Sequence, residues 1–213
     1  MTRRILVFGA LLVGLVACEE DGPNVPEPQP PELRPLTAPE NLVSNIEILY
    51  NDTVRSATER RIEFEKLLAP PAGCDTCRAF LFDFQPSDEA SGTPDTWGRD
   101  QEIQANANIF QAHVNGDIYE LTLAIQSLPA QDISDPERPG WKEIYATNVH
   151  LRLLLTPHDG FEILGGQAQF RAYPAQGRWW IGEWIDLPRP GPRGSSFAVE
   201  TPTWGKIKVS YFR

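Results

Sequence analysis

The chain has 213 residues and carries 29 Asp and Glu against 19 Lys and Arg, a formal net charge of −10. That balance argues against nucleic acid or an anionic membrane surface as a partner. The length suits one domain with a real core. The chain opens on MTRR, with Arg3 and Arg4, and continues into the uncharged apolar run ILVFGALLVGLVA at 5–17. Thirteen residues are too few for a membrane-spanning helix, which needs roughly 20. They are the right length for the apolar part of a signal peptide. No second long apolar run follows, so the remainder is expected to be soluble.

The apolar run ends in LVAC, residues 15–18. Leu15, small Ala17 and Cys18 resemble the lipobox of bacterial lipoproteins. The resemblance implies cleavage before Cys18, a diacylglyceryl thioether on that cysteine, and attachment to the membrane through lipid. The expected location is the outer membrane or the periplasmic face of the envelope. Residues 19–36, EEDGPNVPEPQPPELRPL, hold six prolines and five acids and are expected to stay extended as a tether. In a polyproline II conformation they would reach roughly 50 Å. The expected organisation is a signal peptide at 1–17, an acylated Cys18 with its tether to residue 36, and one domain over 37–213.

TAPE at 37–40 and SATE at 56–59 are two capping boxes. The first opens a helix with Leu42, Val43, Ile46, Leu49 and Tyr50 at helical spacing; the second opens one carrying Ala57, Phe64, Leu67 and Leu68, stopped by Pro70 and Pro71. RAFLFDF at 78–84 reads as a strand with Phe80, Phe82 and Phe84 on one face. Asp100 can cap a third helix lined by Ile103, Ala107 and Phe110. The period then becomes two, around 119–126, 145–155, 167–172, 178–187 and finally GKIKVSYF at 205–212, with Ile207, Val209 and Tyr211 on one face. The order α-α-β-α-β-β-β-β-β predicts an α+β domain: a curved antiparallel sheet wrapped around about three early helices, a cystatin-like cone.

That order, together with GRWWIGEWIDL at 177–187, resembles the nuclear transport factor 2 superfamily, also called SnoaL-like or ketosteroid-isomerase-like. Gly177, Trp179, Ile181, Trp184 and Asp186 fit its late-strand pattern. The resemblance implies the cone, but not one activity, because the superfamily spans isomerases, cyclases, dehydratases and adaptors. Its enzymes use an acid/base carboxylate or a His–Asp pair inside the cone. Strict alternation would put Glu183 inside with Trp179, Ile181 and Ile185, where burial would raise its pKa. A bulge after Ile181 would instead turn Glu183 outward and bring Trp184 in. Asp186 matches the pattern and suits either chemistry or the closing of a strand end. Asp83 falls opposite the three phenylalanines. Trp97, Trp141 and Trp204 follow loops containing proline and, with Trp179 and Glu183, are candidates to line a ligand pocket; they suit equally the closing of a core edge.

His113, His150 and His158 share no metal spacing, and no metal or cofactor is expected. Cys74 and Cys77 form a CxxC in a chain expected to be exported, where thiols oxidise. With Cys18 given to lipid they remain an even pair. Position 78 is Arg78 rather than a haem-binding histidine, and the motif leaves a helix and enters a strand. It reads as a short disulfide staple. The expected function is a lipid-anchored, non-catalytic cone domain that binds a small apolar ligand or a partner protein, with homodimerisation through the exposed sheet face as a family habit. The alternative is an isomerase- or dehydratase-like enzyme using Glu183 or another buried carboxylate.

Overall fold

The computed structural model describes residues 26–71, 78–89, 94–157, 159–188 and 203–212. Cys18, Cys74, Cys77 and His158 lie outside these, and so does most of the loop at 188–203. The elements are α1 (Glu40–Asn51), α2 (Ala57–Glu65), β1 (Leu81–Asp83), the single turn α3 (Pro86–Glu89), β2 (Thr96–Gly98), α4 (Arg99–Asn115), β3 (Glu120–Ser127), β4 (Gln131–Asp132), β5 (Lys142–Thr156), β6 (Asp159–Ala175), β7 (Arg178–Leu187) and α5 (Trp204–Phe212). Among the described residues no helix is long and apolar enough to cross a membrane.

The strands form one seven-stranded sheet in the order β2-β1-β7-β6-β5-β3, with β4 paired to β5. All pairings are antiparallel except β1 with β7, which is parallel. Leu121, Leu123, Leu151, Leu153, Ala168, Phe170, Ile181, Trp184 and Phe82 form the buried face of the sheet, packed with Leu42, Ile46, Leu49, Tyr50, Phe64, Ile109 and Phe110 from the helices. The α+β class and the helix-filled curved sheet are as the alternation of apolar residues predicts.

Local signals decide where the helices begin. The Ser56 capping box forms as expected: the Ser56 amide donates to Glu59 Oε2 at 2.8 Å and the Glu59 amide to Ser56 Oγ at 3.3 Å. The box expected at Thr37 does not. Helix α1 starts from Pro39 without a side-chain cap, and Glu40 instead accepts from the Ala130 amide at 3.0 Å, tying the start of α1 to the chain after β3. Asp100 is not a cap either. Gly98 holds that position, its amide donating to Gln101 Oε1 at 3.1 Å. Helix α4 ends at Gly116, whose φ of 83° lies in the left-handed region that glycine adopts without strain.

Two expectations are corrected. The segment 205–212, expected as a strand, belongs to helix α5. Its apolar residues satisfy both periods: Ile207, Val209 and Tyr211 alternate, but Trp204, Ile207, Lys208 and Tyr211 also share a helical stripe. Thr203 tips the balance by accepting from the Lys206 amide at 3.0 Å, as an N-cap does. Among the described residues the last strand is therefore β7, and the helices number four beyond the single turn α3. The second correction concerns the tether. Residues 31–36 are docked rather than free. The Arg34 amide donates to Asn45 Oδ1 at 2.8 Å and Asn45 Nδ2 returns a bond to the Arg34 carbonyl at 2.9 Å. The Trp179 amide donates to the Leu36 carbonyl at 2.8 Å, and Leu33 and Leu36 pack on the core. The folded unit thus begins before Thr37.

Candidate functional site

Strand β7 carries the bulge on which the fate of Glu183 depends. Arg171 pairs with Glu183 and Ala172 with Ile181, leaving Gly182 as the extra residue. Only glycine fits there, because an added Cβ would lie 2.6 Å from the Trp141 ring. The bulge puts both Ile181 and Trp184 into the core and turns Glu183 to the outer face. There Arg138 grips it with both terminal nitrogens, at 2.6 and 2.9 Å, and Arg171 adds a third contact at 2.9 Å. Glu183 thus pins the loop before β5 to the sheet. Asp83 lies in the same network; burial first, then the Glu183 charge, hold its carboxyl above the usual range.

Among the described residues Asp52, Asp88, Glu102 and Asp186 are buried carboxylates, and Glu102 and Asp186 are the two that face Lys208. Glu102 projects from α4 and Lys208 from α5, and Lys208 Nζ sits 2.6 Å from Glu102 Oε1 with both side chains fully buried. Trp97 Nε1 donates to Glu102 Oε2 at 3.0 Å and Asn106 Nδ2 to Oε1 at 2.9 Å. Tyr50 completes the chain by donating to Asn106 Oδ1 at 2.6 Å. The Lys208 ammonium also lies over aromatic rings, 3.5 Å from the Trp184 centroid and 3.9 Å from that of Phe82. A cation over a ring face in a desolvated site is attracted by the quadrupole, by about 2 kcal/mol.

Asp186 sits at the end of β7, buried, and accepts from the Gly205 amide at 3.1 Å. Burial pushes its carboxyl up to about 7, against the opposing pull of that amide and of Lys208. Burial likewise pushes Lys208 down to about 8, against Glu102 and Asp186. The first turn of α5 is held a second time by Asp88, whose Oδ2 accepts from Thr203 Oγ1 at 2.7 Å. In chemical terms the interior contains a carboxyl that titrates near neutrality beside an ammonium, both covered by α5.

The aromatic candidates are distributed as follows. Trp97 and Trp204 are buried in the cone, Trp204 edge-on to Trp184 with centroids 4.6 Å apart. Trp141 is buried on the outer face against Tyr173 and Gly182. Trp179 is half-buried and lines, with Thr37, Gln176 and Arg178, a depression of about 320 Å³ at the β6–β7 turn. Among the histidines, His113 Nδ1 lies 3.1 Å from Arg60 Nη1, and His150 lies 3.2 Å from Glu162 on the outer face. Sequence reasoning missed Glu102 and Lys208. The available signal was the stripe Glu102, Asn106, Ile109 and Phe110, in which two polar residues occupy core positions of α4.

No protein-family model matches the sequence, and no curated protein matches it. Among solved structures the chain is similar to a candidate aromatic-ring hydroxylase from Novosphingobium aromaticivorans, with 10% identity over 73% of this chain and 88% of that one and a TM-score of 0.48. It is similar to an uncharacterised protein with a cystatin-like fold from Caulobacter vibrioides, with 16% identity over 72% and 89% of the two chains and a TM-score of 0.45. A candidate scytalone dehydratase from N. aromaticivorans gives 11% identity over 75% and 93% and a TM-score of 0.44. These are likenesses of chain path; the α+β cone rests on the sheet and helices of this chain itself.

Proposed function

We propose that the chain is a lipid-anchored protein of the bacterial cell envelope, joined to the membrane through Cys18, whose cone domain is a non-catalytic module for a small ligand or a partner protein. The observation that carries the non-catalytic half is the Glu102–Lys208 pair. The space in which a cone enzyme would hold its substrate is filled here by Lys208, Trp184, Trp204 and Phe82. Both oxygens of Glu102 already accept from this chain, and its side chain is fully buried, so it is engaged in holding α4, α5 and Trp97 together and does not face an open pocket. Binding then falls to the outer surfaces, which favours a partner protein over a small molecule. The anchoring half is supported by the signal-like run and the LVAC motif.

The test is purification of the full-length chain from membranes in mild detergent, followed by native mass spectrometry. The expected result is an acylated Cys18 and a co-purifying protein. A small molecule retained inside the cone, identified by crystallography of that preparation, would overturn the assignment of binding to the outer surfaces, and its chemical conversion by the full chain would overturn the non-catalytic reading. A second reading has one observation in its favour. Asp186, buried and titrating near 7, has the properties of a general acid/base. It predicts turnover by the full chain that Asp186→Asn abolishes without loss of fold.

A further inference from the structure

Four of the exposed large apolar side chains gather at one end of the domain. Val54 is 40% exposed, Val114 53%, Tyr119 62% and Leu155 39%. Val54, in the α1–α2 turn, and Val114, in the last turn of α4, line the same depression of about 420 Å³. The Ile118 amide bonds the Ala112 carbonyl and the Tyr119 amide the Leu154 carbonyl, which brings Tyr119 and Leu155 to that end. Asn51 at the end of α1 bonds Leu123 in the middle of β3 in both directions, at 2.7 and 2.9 Å, which holds the end of α1 against that strand.

The docked N-terminal segment leads to the same place. From Leu36 at Trp179 it runs back along α1, past Asn45, to Pro31, whose carbonyl accepts from Arg55 Nη2 at 2.7 Å. Arg55 belongs to the α1–α2 turn. The chain therefore leaves the domain toward residue 18 at the apolar end. Twelve residues lie between Cys18 and Pro31, and the thirteen steps from one to the other give a reach of about 40 Å at 3.1 Å per residue.

We propose that this end, formed by Val54, Val114, Tyr119 and Leu155, is the face that rests on the lipid bilayer. The proposal rests on acylation of Cys18 and adds to it the orientation of the domain. At or beside this end Glu59, Asp117 and Glu120 reach solvent, Arg152 pairs with Glu120 at 2.9 Å, and Arg55 is bound to buried Asp52, so the charge here would not draw the domain to an anionic membrane unaided. A short tether removes that requirement. It holds the domain at an effective concentration of order millimolar, at which a weak apolar contact is sufficient. Tyrosine at the rim suits the headgroup layer, where one end of the ring is wet and the other apolar. The opposite end, with Trp179, Trp180 and the β6–β7 turn, then faces away from the membrane and is left for a partner.

The test is hydroxyl-radical footprinting, read by mass spectrometry, on the full-length chain in vesicles of phosphatidylethanolamine and phosphatidylglycerol. The same chain carrying Cys18→Ser, without vesicles, is the reference. Intact mass first establishes the acyl group. The expected result is severalfold slower oxidation of Tyr119, Val114 and Leu155 in vesicles, with Trp180 unchanged. An acylated chain with equal rates at both ends overturns the orientation and leaves the anchor standing. A chain with no acyl group on Cys18 overturns both. Slow oxidation of Tyr119 in the Cys18→Ser chain, sensitive to protein concentration, assigns the patch to contact between copies and overturns the bilayer.

Discussion

Lys208 and Glu102 meet 2.6 Å apart with neither side chain reaching solvent, and they join helix α5 to helix α4 through the middle of the core. Removing one partner leaves the other charged, buried and unpaired, which costs about 3–5 kcal/mol. Lys208→Ala and Glu102→Ala should each lower the unfolding free energy in urea by that amount. The double variant Glu102→Gln with Lys208→Met should recover most of it, because Gln keeps the acceptor for Trp97 and Met fills the stem. Additive losses in the cycle built from Glu102→Gln, Lys208→Met and their double variant would show that the two side chains are not coupled.

Asp186 gives stability a pH dependence of known sign. Burial pushes its carboxyl from the ordinary 3.8 up to about 7, so the folded state binds the proton more tightly. The stabilising contribution of the protonated form is fully present below about pH 4 and is lost as pH rises through about 7. Chemical denaturation of wild type and Asp186→Asn across pH 4–8 should therefore diverge, the variant gaining relative to wild type by on the order of 3 kcal/mol. Parallel profiles would place the titration elsewhere.

His113 acts in the opposite direction. Burial, and then the neighbouring Arg60 charge, lower its pKa from 6.5; Nδ1 facing Arg60 must carry the lone pair. Asp52, Glu59 and Arg55 line the same depression. Stability from neutral His113 is present above about pH 6.5 and is lost as pH falls below that value. His113→Gln should flatten the acid side of the stability profile, and NMR of the imidazole should show a midpoint below the ordinary histidine value.

Gly182 should tolerate no larger residue. A Cβ there meets the Trp141 ring at 2.6 Å and Tyr173 at 3.1 Å, both buried. Gly182→Ala should cost about 1–3 kcal/mol and shift the emission of Trp141. It would also strain the bulge that points Glu183 at Arg138 and Arg171, so hydrogen exchange in the 133–141 segment should quicken.

Much of the cone was legible because burial on one face writes itself as period two in β3, β5 and β6, and as helical spacing in α1 and α4. Three things were not. A nine-residue segment, Trp204–Phe212, is short enough to satisfy both periods, and the cap that decides between them lies just outside it. The outward turn of Glu183 was open in the sequence as the bulged alternative to strict alternation, and only the register of β7 on β6 decides for it. Glu102 and Lys208 are buried charges whose partners are a hundred positions apart in sequence. Local pattern reads each as surface; only the tertiary pairing explains why neither is.

The parallel pairing of Leu81–Asp83 with Glu183–Ile185 sets an order of events. A chain that emerges amino end first presents β1 and α4 long before β7 and α5. Until then Phe82 has no Trp184 to cover it and Glu102 no ammonium. Helices α1 and α2 and the β5–β6 hairpin can form from near neighbours, whereas closing contacts of high sequence separation are slow. The cone is sealed from its far end, and the last segment to arrive is the one that neutralises its interior.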